Sequence, residues 1–103
     1  AEFVDTILDH IATRVQSMPK HEQIIEYDKI LDRILKELGF SGTFAQKLQQ
    51  YQRKNNIPQE VWNAHRERNK LVHEVGYQLP HRDIDRHVVA LEKAVTNILK
   101  RGY

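Results

Sequence analysis

Along the first seventeen residues the apolar positions Phe3, Val4, Ile7, Leu8, Ile11, Ala12 and Val15 recur at intervals of three and four, with Asp5, Asp9, Thr13 and Gln16 opposite them. At 3.6 residues per turn this spacing lines one face of a helix. The pattern therefore predicts a helix from Glu2 to about Ser17, ended by Met18-Pro19. The stripe Ile24, Tyr27, Leu31, Ile34, Leu35 and Leu38 predicts a second helix from about Lys20 to Leu38. Gly39 follows where a left-handed stop is favoured. After the connector Phe40-Ser41-Gly42, Thr43 can cap a shorter helix that turns Phe44, Leu48 and Tyr51 inward and frays near Asn55-Asn56.

Pro58 suits the first turn of a fourth helix, because its missing N–H is not needed there and its φ is already helical. That helix is expected to end between Val72 and Gly76. Beyond Tyr77-Gln78-Leu79-Pro80, the stripe Ile84, Val88, Leu91, Val95, Ile98 and Leu99 predicts a last helix from about Asp83 to Lys100. Strand-like alternation is absent, and so are internal repeats. The expected fold is all-α, an antiparallel bundle of about five helices, each stripe covered by the others. The second, fourth and fifth helices have the longest stripes and are expected to supply most of the core.

Composition narrows this picture. A chain of 103 residues suits one helical domain, residues 1–103, with one modest core. Hydrophobic content of 40% beside 29% charge is ordinary for a globular protein. The absence of cysteine removes disulfides and thiolate metal sites, and a reducing, cytoplasmic compartment is the easier expectation. No run of about eighteen apolar residues exists, so no membrane contact is expected from this segment. Ala1-Glu2-Phe3 has neither the basic start nor the apolar stretch of a signal peptide. The chain does not begin with Met, which suggests a processed chain or a piece of something longer. Residues 1–40 carry five Lys/Arg against eight Asp/Glu, whereas residues 41–70 carry six against two. Such asymmetry can steer a polyanion towards the middle of the chain, although a net charge of +2 gives it little force.

The fourth helix departs from bundle chemistry. Turning about 100° per residue sets Val61, Trp62, Ala64, Leu71 and Val72 on one broad arc and Asn63, Arg66, Glu67, Lys70 and Glu74 on the other, solvent-facing one. His65, Arg68 and Asn69 fall in the middle of the apolar arc, with His73 near its edge beside Trp62. A buried unpaired guanidinium costs several kcal/mol, so Arg68 needs a partner, an opening to solvent or a second subunit. Asp28 is the charged misfit on the second helix, among Ile24, Leu31 and Leu35, and an Asp28–Arg68 ion pair would explain both. In the plain structural reading this pair locks two helices, with Asn69 bonded to nearby backbone and His73 favourably placed at a helix C-terminus.

Other chemistry fails on spacing. His65 and His73 lie about 12 Å apart along a helix axis, too far for a local zinc clamp, and there is no HExxH, so no metal is expected. Neither a Gly-rich phosphate loop, a G-x-S-x-G elbow nor a Cys nucleophile is present, and no cofactor is implied.

The stretch from Trp62 to Glu74, with Arg68-Asn69, three further residues and then His73, resembles the HEPN superfamily, whose hallmark is an Arg, often followed by a polar residue, and then a His after four to six intervening positions, here four. The resemblance extends loosely over the helical order of residues 20–100. It implies a HEPN-like bundle and a metal-independent endoribonuclease in which dimerisation brings two motifs together over the RNA backbone. By that resemblance His73 would handle protons, Arg68 would stabilise charge on the phosphate and Asn69 would orient either. The chemistry is coherent: a histidine can take a proton from a ribose 2′-OH near neutral pH, and a guanidinium holds a phosphorane dianion by paired hydrogen bonds. Trp62, His65, Arg66 and Lys70 are the accompanying candidates for RNA binding.

Arg68 and His73 are separated by roughly 140° and 7.5 Å of rise on a continuous helix. They converge only if the helix unwinds near His73 or a second copy faces the first. A homodimer through the fourth helix is therefore expected, burying on the order of 1,200 Å² or more. The alternative is a non-catalytic helical module for dimerisation or for docking a protein partner, with Trp62 and Tyr51 as contacts.

Overall fold

Each apolar stripe becomes a helix. The computed structural model describes residues 2–102, and among them the helices are α1 (Glu2–Thr13), α2 (Lys20–Glu37), α3 (Phe44–Gln52), α4 (Gln59–His73) and α5 (Ile84–Gly102). Short 3-10 turns at Val15–Ser17 and His81–Asp83 complete the regular structure, and the described residues contain no strand. The protein is thus an all-α bundle.

The boundaries have local causes. The α-helical pattern of α1 stops four residues short of Ser17, and the tighter turn that follows rotates Val15 inward, where it is fully buried. Pro58 stands one residue outside α4 rather than within its first turn, with ψ at 147° and its carbonyl accepting the Val61 N–H. Pro19 caps α2 in the same extended conformation. At the other end of α2, Gly39 takes φ +99° while the Phe40 N–H donates to the Leu35 carbonyl and the Gly39 N–H to that of Lys36. This pair of bonds satisfies carbonyls that the helix end would otherwise leave open. Thr43 caps α3 reciprocally: its hydroxyl accepts the Gln46 N–H, and the Gln46 side chain accepts the Thr43 N–H.

The core is built mainly between α2 and α5, the most extensive helix pairing. Ile24, Tyr27, Leu31, Ile34 and Leu35 of α2 meet Val88, Leu91, Val95, Ile98 and Leu99 of α5 in one buried cluster, each large apolar side chain contributing about 1.5–3 kcal/mol through its removal from water. The buried Tyr27 hydroxyl donates to Glu92 at 3.2 Å. Burial, with the adjacent Glu92 charge and that bond, pushes the phenol up to about 12. α3 is pinned to α2 by the buried Lys47, 2.8 Å from Asp32, and α1 by His10 with Glu26, also at 2.8 Å.

α4 contributes less to the core than its stripe suggests. Only Val61 and Ala64 are buried among its residues, no more apolar side chains than the much shorter α3 supplies through Leu48 and Tyr51. Trp62 and Leu71 pack against the core only partly buried, and the polar His65, Arg68 and Asn69 share the inward surface with them.

Candidate functional site

α4 lies against both α2 and α5, and where it crosses α2 it presents His65, Arg68 and Asn69 to Asp28. The Asp28 side chain is 4% exposed, so both carboxylate oxygens need partners. One accepts from His65, whose Nδ1 lies 2.8 Å from Oδ2. The other faces Arg68 Nε at 3.4 Å. That Nε is buried and makes no hydrogen bond among the described residues, so Arg68 and Asp28 meet as an ionic contact, while the directed bond to Asp28 belongs to His65. The sequence pattern identifies Asp28 and Arg68 as neighbours but not the histidine between them.

Two further bonds close the network. Arg68 Nη1 donates to Asn69 Oδ1 at 3.0 Å, and Asn69 Nδ2 lies 3.4 Å from His65 Nε2. Phe44, the first residue of α3, stacks on the His65 ring with centroids 3.9 Å apart and planes within 15° of parallel. The ring is therefore fixed by a carboxylate, an amide and an aromatic face. Both of its nitrogens are engaged within the protein, which leaves His65 poorly placed to contact a ligand directly.

Arg68 differs. Its side chain is 27% exposed, and among the described residues Nη2 has no hydrogen-bond partner. A guanidinium held on two of its nitrogens and open on the third is suited to an anion. His73 lies about 1.4 turns further along and is exposed, and α4 remains helical through it, Glu74 being the first extended residue. The angle between Arg68 and His73 is therefore that of a continuous helix, roughly 140°, and the two do not converge within one chain.

The other candidate binding residues are dispersed. Trp62 is half-buried and donates from Nε1 to Gln52 at 3.2 Å, bracing α4 against α3. Arg66 is exposed and touches Asn63 at the limit of hydrogen bonding. Lys70 pairs with Glu67 at 3.4 Å and sits over the Tyr77 ring. Glu67 departs from its expected solvent position: the chain returning after α4 brings the Tyr77 hydroxyl to it. Burial pushes the Glu67 carboxyl up, but the bonds from Tyr77 and Lys70 and the Lys70 charge outweigh this and lower it overall. The same hydrogen bond, aided by burial, pushes Tyr77 up to about 12. Val72, placed on the inward arc by the sequence pattern, is 45% exposed and Val75 is fully so, so apolar side chains flank His73 in solvent.

A groove of about 600 Å³ runs elsewhere, between the start of α4 and α5, lined by Ile57, Pro58, Val61, Val89, Ala94 and Ile98 among others, and neither Arg68 nor His73 reaches it. Among the described residues no cluster of three or more His, Cys, Asp or Glu has the arrangement to hold a metal ion. No helix of the described chain is long and apolar enough to cross a membrane. No family model matches the chain, and neither a curated protein nor a solved structure does so.

Proposed function

We propose that this chain is an RNA-binding, HEPN-like domain that cleaves RNA without a metal as a homodimer, with Arg68 and His73 of each copy facing those of the other. The observation that carries the reading is the state of Arg68, anchored through Nε and Nη1 on the protein side and open at Nη2, on the same helix as the exposed His73. One copy cannot enclose a phosphate from both sides, because the two groups diverge around a continuous helix. Two copies related by a two-fold axis near the end of α4 can. The exposed Val72 and Val75 beside His73 supply apolar surface for that contact.

In the composite site, His73 of one copy takes the proton of the ribose 2′-OH, and O2′ attacks the adjacent phosphorus. The O2′–P bond forms, the P–O5′ bond breaks, and the leaving O5′ takes a proton from the imidazolium of the other copy. The products are a 2′,3′-cyclic phosphate and a 5′-hydroxyl. The Arg68 guanidinia neutralise the charge that develops on the phosphorane oxygens, and Lys70 and Arg66 add long-range attraction for the RNA backbone.

The test is incubation of the purified protein with mixed RNA in the presence of chelator. Cleavage to cyclic phosphate ends is expected, slowed about a hundredfold or more in His73→Ala. A wild type that leaves RNA intact, or a strict monomer in sedimentation at micromolar concentration, removes the nuclease reading and leaves a non-catalytic docking module.

A further inference from the structure

The four polar residues where α4 crosses α2 admit one arrangement of protons. Asp28 faces a nitrogen on each oxygen, His65 Nδ1 at 2.8 Å and Arg68 Nε at 3.4 Å, and so acts as a carboxylate that only accepts. His65 must then carry its proton on Nδ1. Arg68 has no acceptor atom, so the Asn69 atom 3.0 Å from its Nη1 is the amide oxygen. The Asn69 amide nitrogen therefore points at His65 Nε2, which can accept from it only as the unprotonated nitrogen of a neutral ring. Protonating Nε2, or moving the proton there from Nδ1, sets two N–H groups against each other. The amide would then rotate and turn its own N–H towards Arg68.

We propose that Asp28 and His65 are positioning residues for Arg68: Asp28 fixes His65 as the neutral Nδ1–H tautomer, His65 fixes the Asn69 amide, and the amide and Asp28 together aim the guanidinium outward. The proposal rests on the reading of Arg68 as the phosphate-contacting group. It also divides the labour of the two α4 histidines, since His73, exposed and without a hydrogen-bond partner among the described residues, moves protons while His65 keeps its own. Phe44 completes the device by stacking on the ring and preventing it from turning over.

The arrangement leaves a signature that needs no RNA. In the uniformly 15N-labelled protein near pH 8, long-range 1H–15N correlation should give His65 a protonated Nδ1 and an unprotonated Nε2, against the preference of free histidine for the opposite tautomer. A His65 that is Nε2-protonated or doubly protonated under these conditions overturns the proposal. The second arm uses Asp28→Asn, checked for folding by circular dichroism. It should lower the cleavage rate about a hundredfold with little change in KM, whereas Asp28→Glu restores part of it. Unchanged cleavage by a folded Asp28→Asn also overturns the proposal. A wild type that does not cleave RNA removes the nuclease reading alone, because the tautomer is read independently of activity.

Discussion

α4 and α5 lie side by side, yet their inward faces are made of different material. α5 turns Val88, Leu91, Ala94, Val95, Ile98 and Leu99 into the core. The inward polar side chain of α5 is His87, buried without a hydrogen bond among the described residues. α4 begins the same way with Val61 and Ala64 and then gives the following turn to His65, Arg68 and Asn69, tied to Asp28 of α2. An apolar face tolerates small errors of position, since dispersion and burial are not directional. A buried polar network holds only one geometry and is costly when any member is lost. The bundle therefore uses α5 to be stable and α4 to hold a few side chains in fixed directions.

Removing the hub of the network should show the difference most strongly. Asp28→Ala leaves Arg68 and His65 facing an apolar gap and is expected to destabilise the protein by about 3–5 kcal/mol, measured by urea unfolding. Leu91→Ala, the matched change on α5, creates a cavity and should cost about 2–4 kcal/mol. An Asp28→Ala protein as stable as wild type would mean that the network is solvated and imposes no geometry.

Arg68→Met should cost less, about 1–2 kcal/mol, because Asp28 keeps its bond to His65 and the guanidinium already reaches solvent. Equal losses for Asp28→Ala and Arg68→Met would contradict the placement of His65 as the principal partner.

The smallest effect belongs to the lone buried histidine of α5. Burial pushes the His87 imidazole down, against the Glu67 carboxylate, with Arg86 adding to the fall. The folded state then binds fewer protons than the unfolded chain between the lowered value and the ordinary one near 6.5. Stability from this source is complete above the ordinary value and is lost as pH falls towards the lowered one. Comparing urea midpoints at about pH 7.5 and 5.5 should show a decline in wild type that His87→Phe reduces.

Where the fold depended on periodicity it was legible in the sequence, because a stripe such as Ile84-Val88-Leu91-Val95 has one way to be covered. Gly39 and Thr43 likewise announced the end of α2 and the start of α3. The partial error in α4 has a physical origin: periodicity assigns a residue to a face but not to a depth. Val72 lies on the inward arc but is left 45% exposed, while Glu67 lies on the outer arc but is covered by Tyr77, ten residues further along the chain. Asp28 and Arg68 stood out as misfits, and His65 was visible on the same arc. The bond between Asp28 and His65 was not, since two donors on neighbouring turns competed for one carboxylate, and sequence spacing does not say which comes closer. Phe44 gave no signal, being indistinguishable from any apolar residue of α3.

The turn between α2 and α3 gives the site a remote point of control. Gly42 sits at φ +104°, and a β-carbon placed there would run into the Gln46 side-chain amide, so any side chain would have to displace Gln46. Gln46 is half of the cap that starts α3, and Phe44, the first residue of α3, is the face on which His65 rests. A substitution at Gly42 would therefore be felt more than twenty residues away along the chain, as a looser imidazole and a wandering guanidinium, without touching any residue of the motif. Variation at this turn can therefore alter how firmly Arg68 is held while leaving Arg68, Asn69 and His73 themselves unchanged.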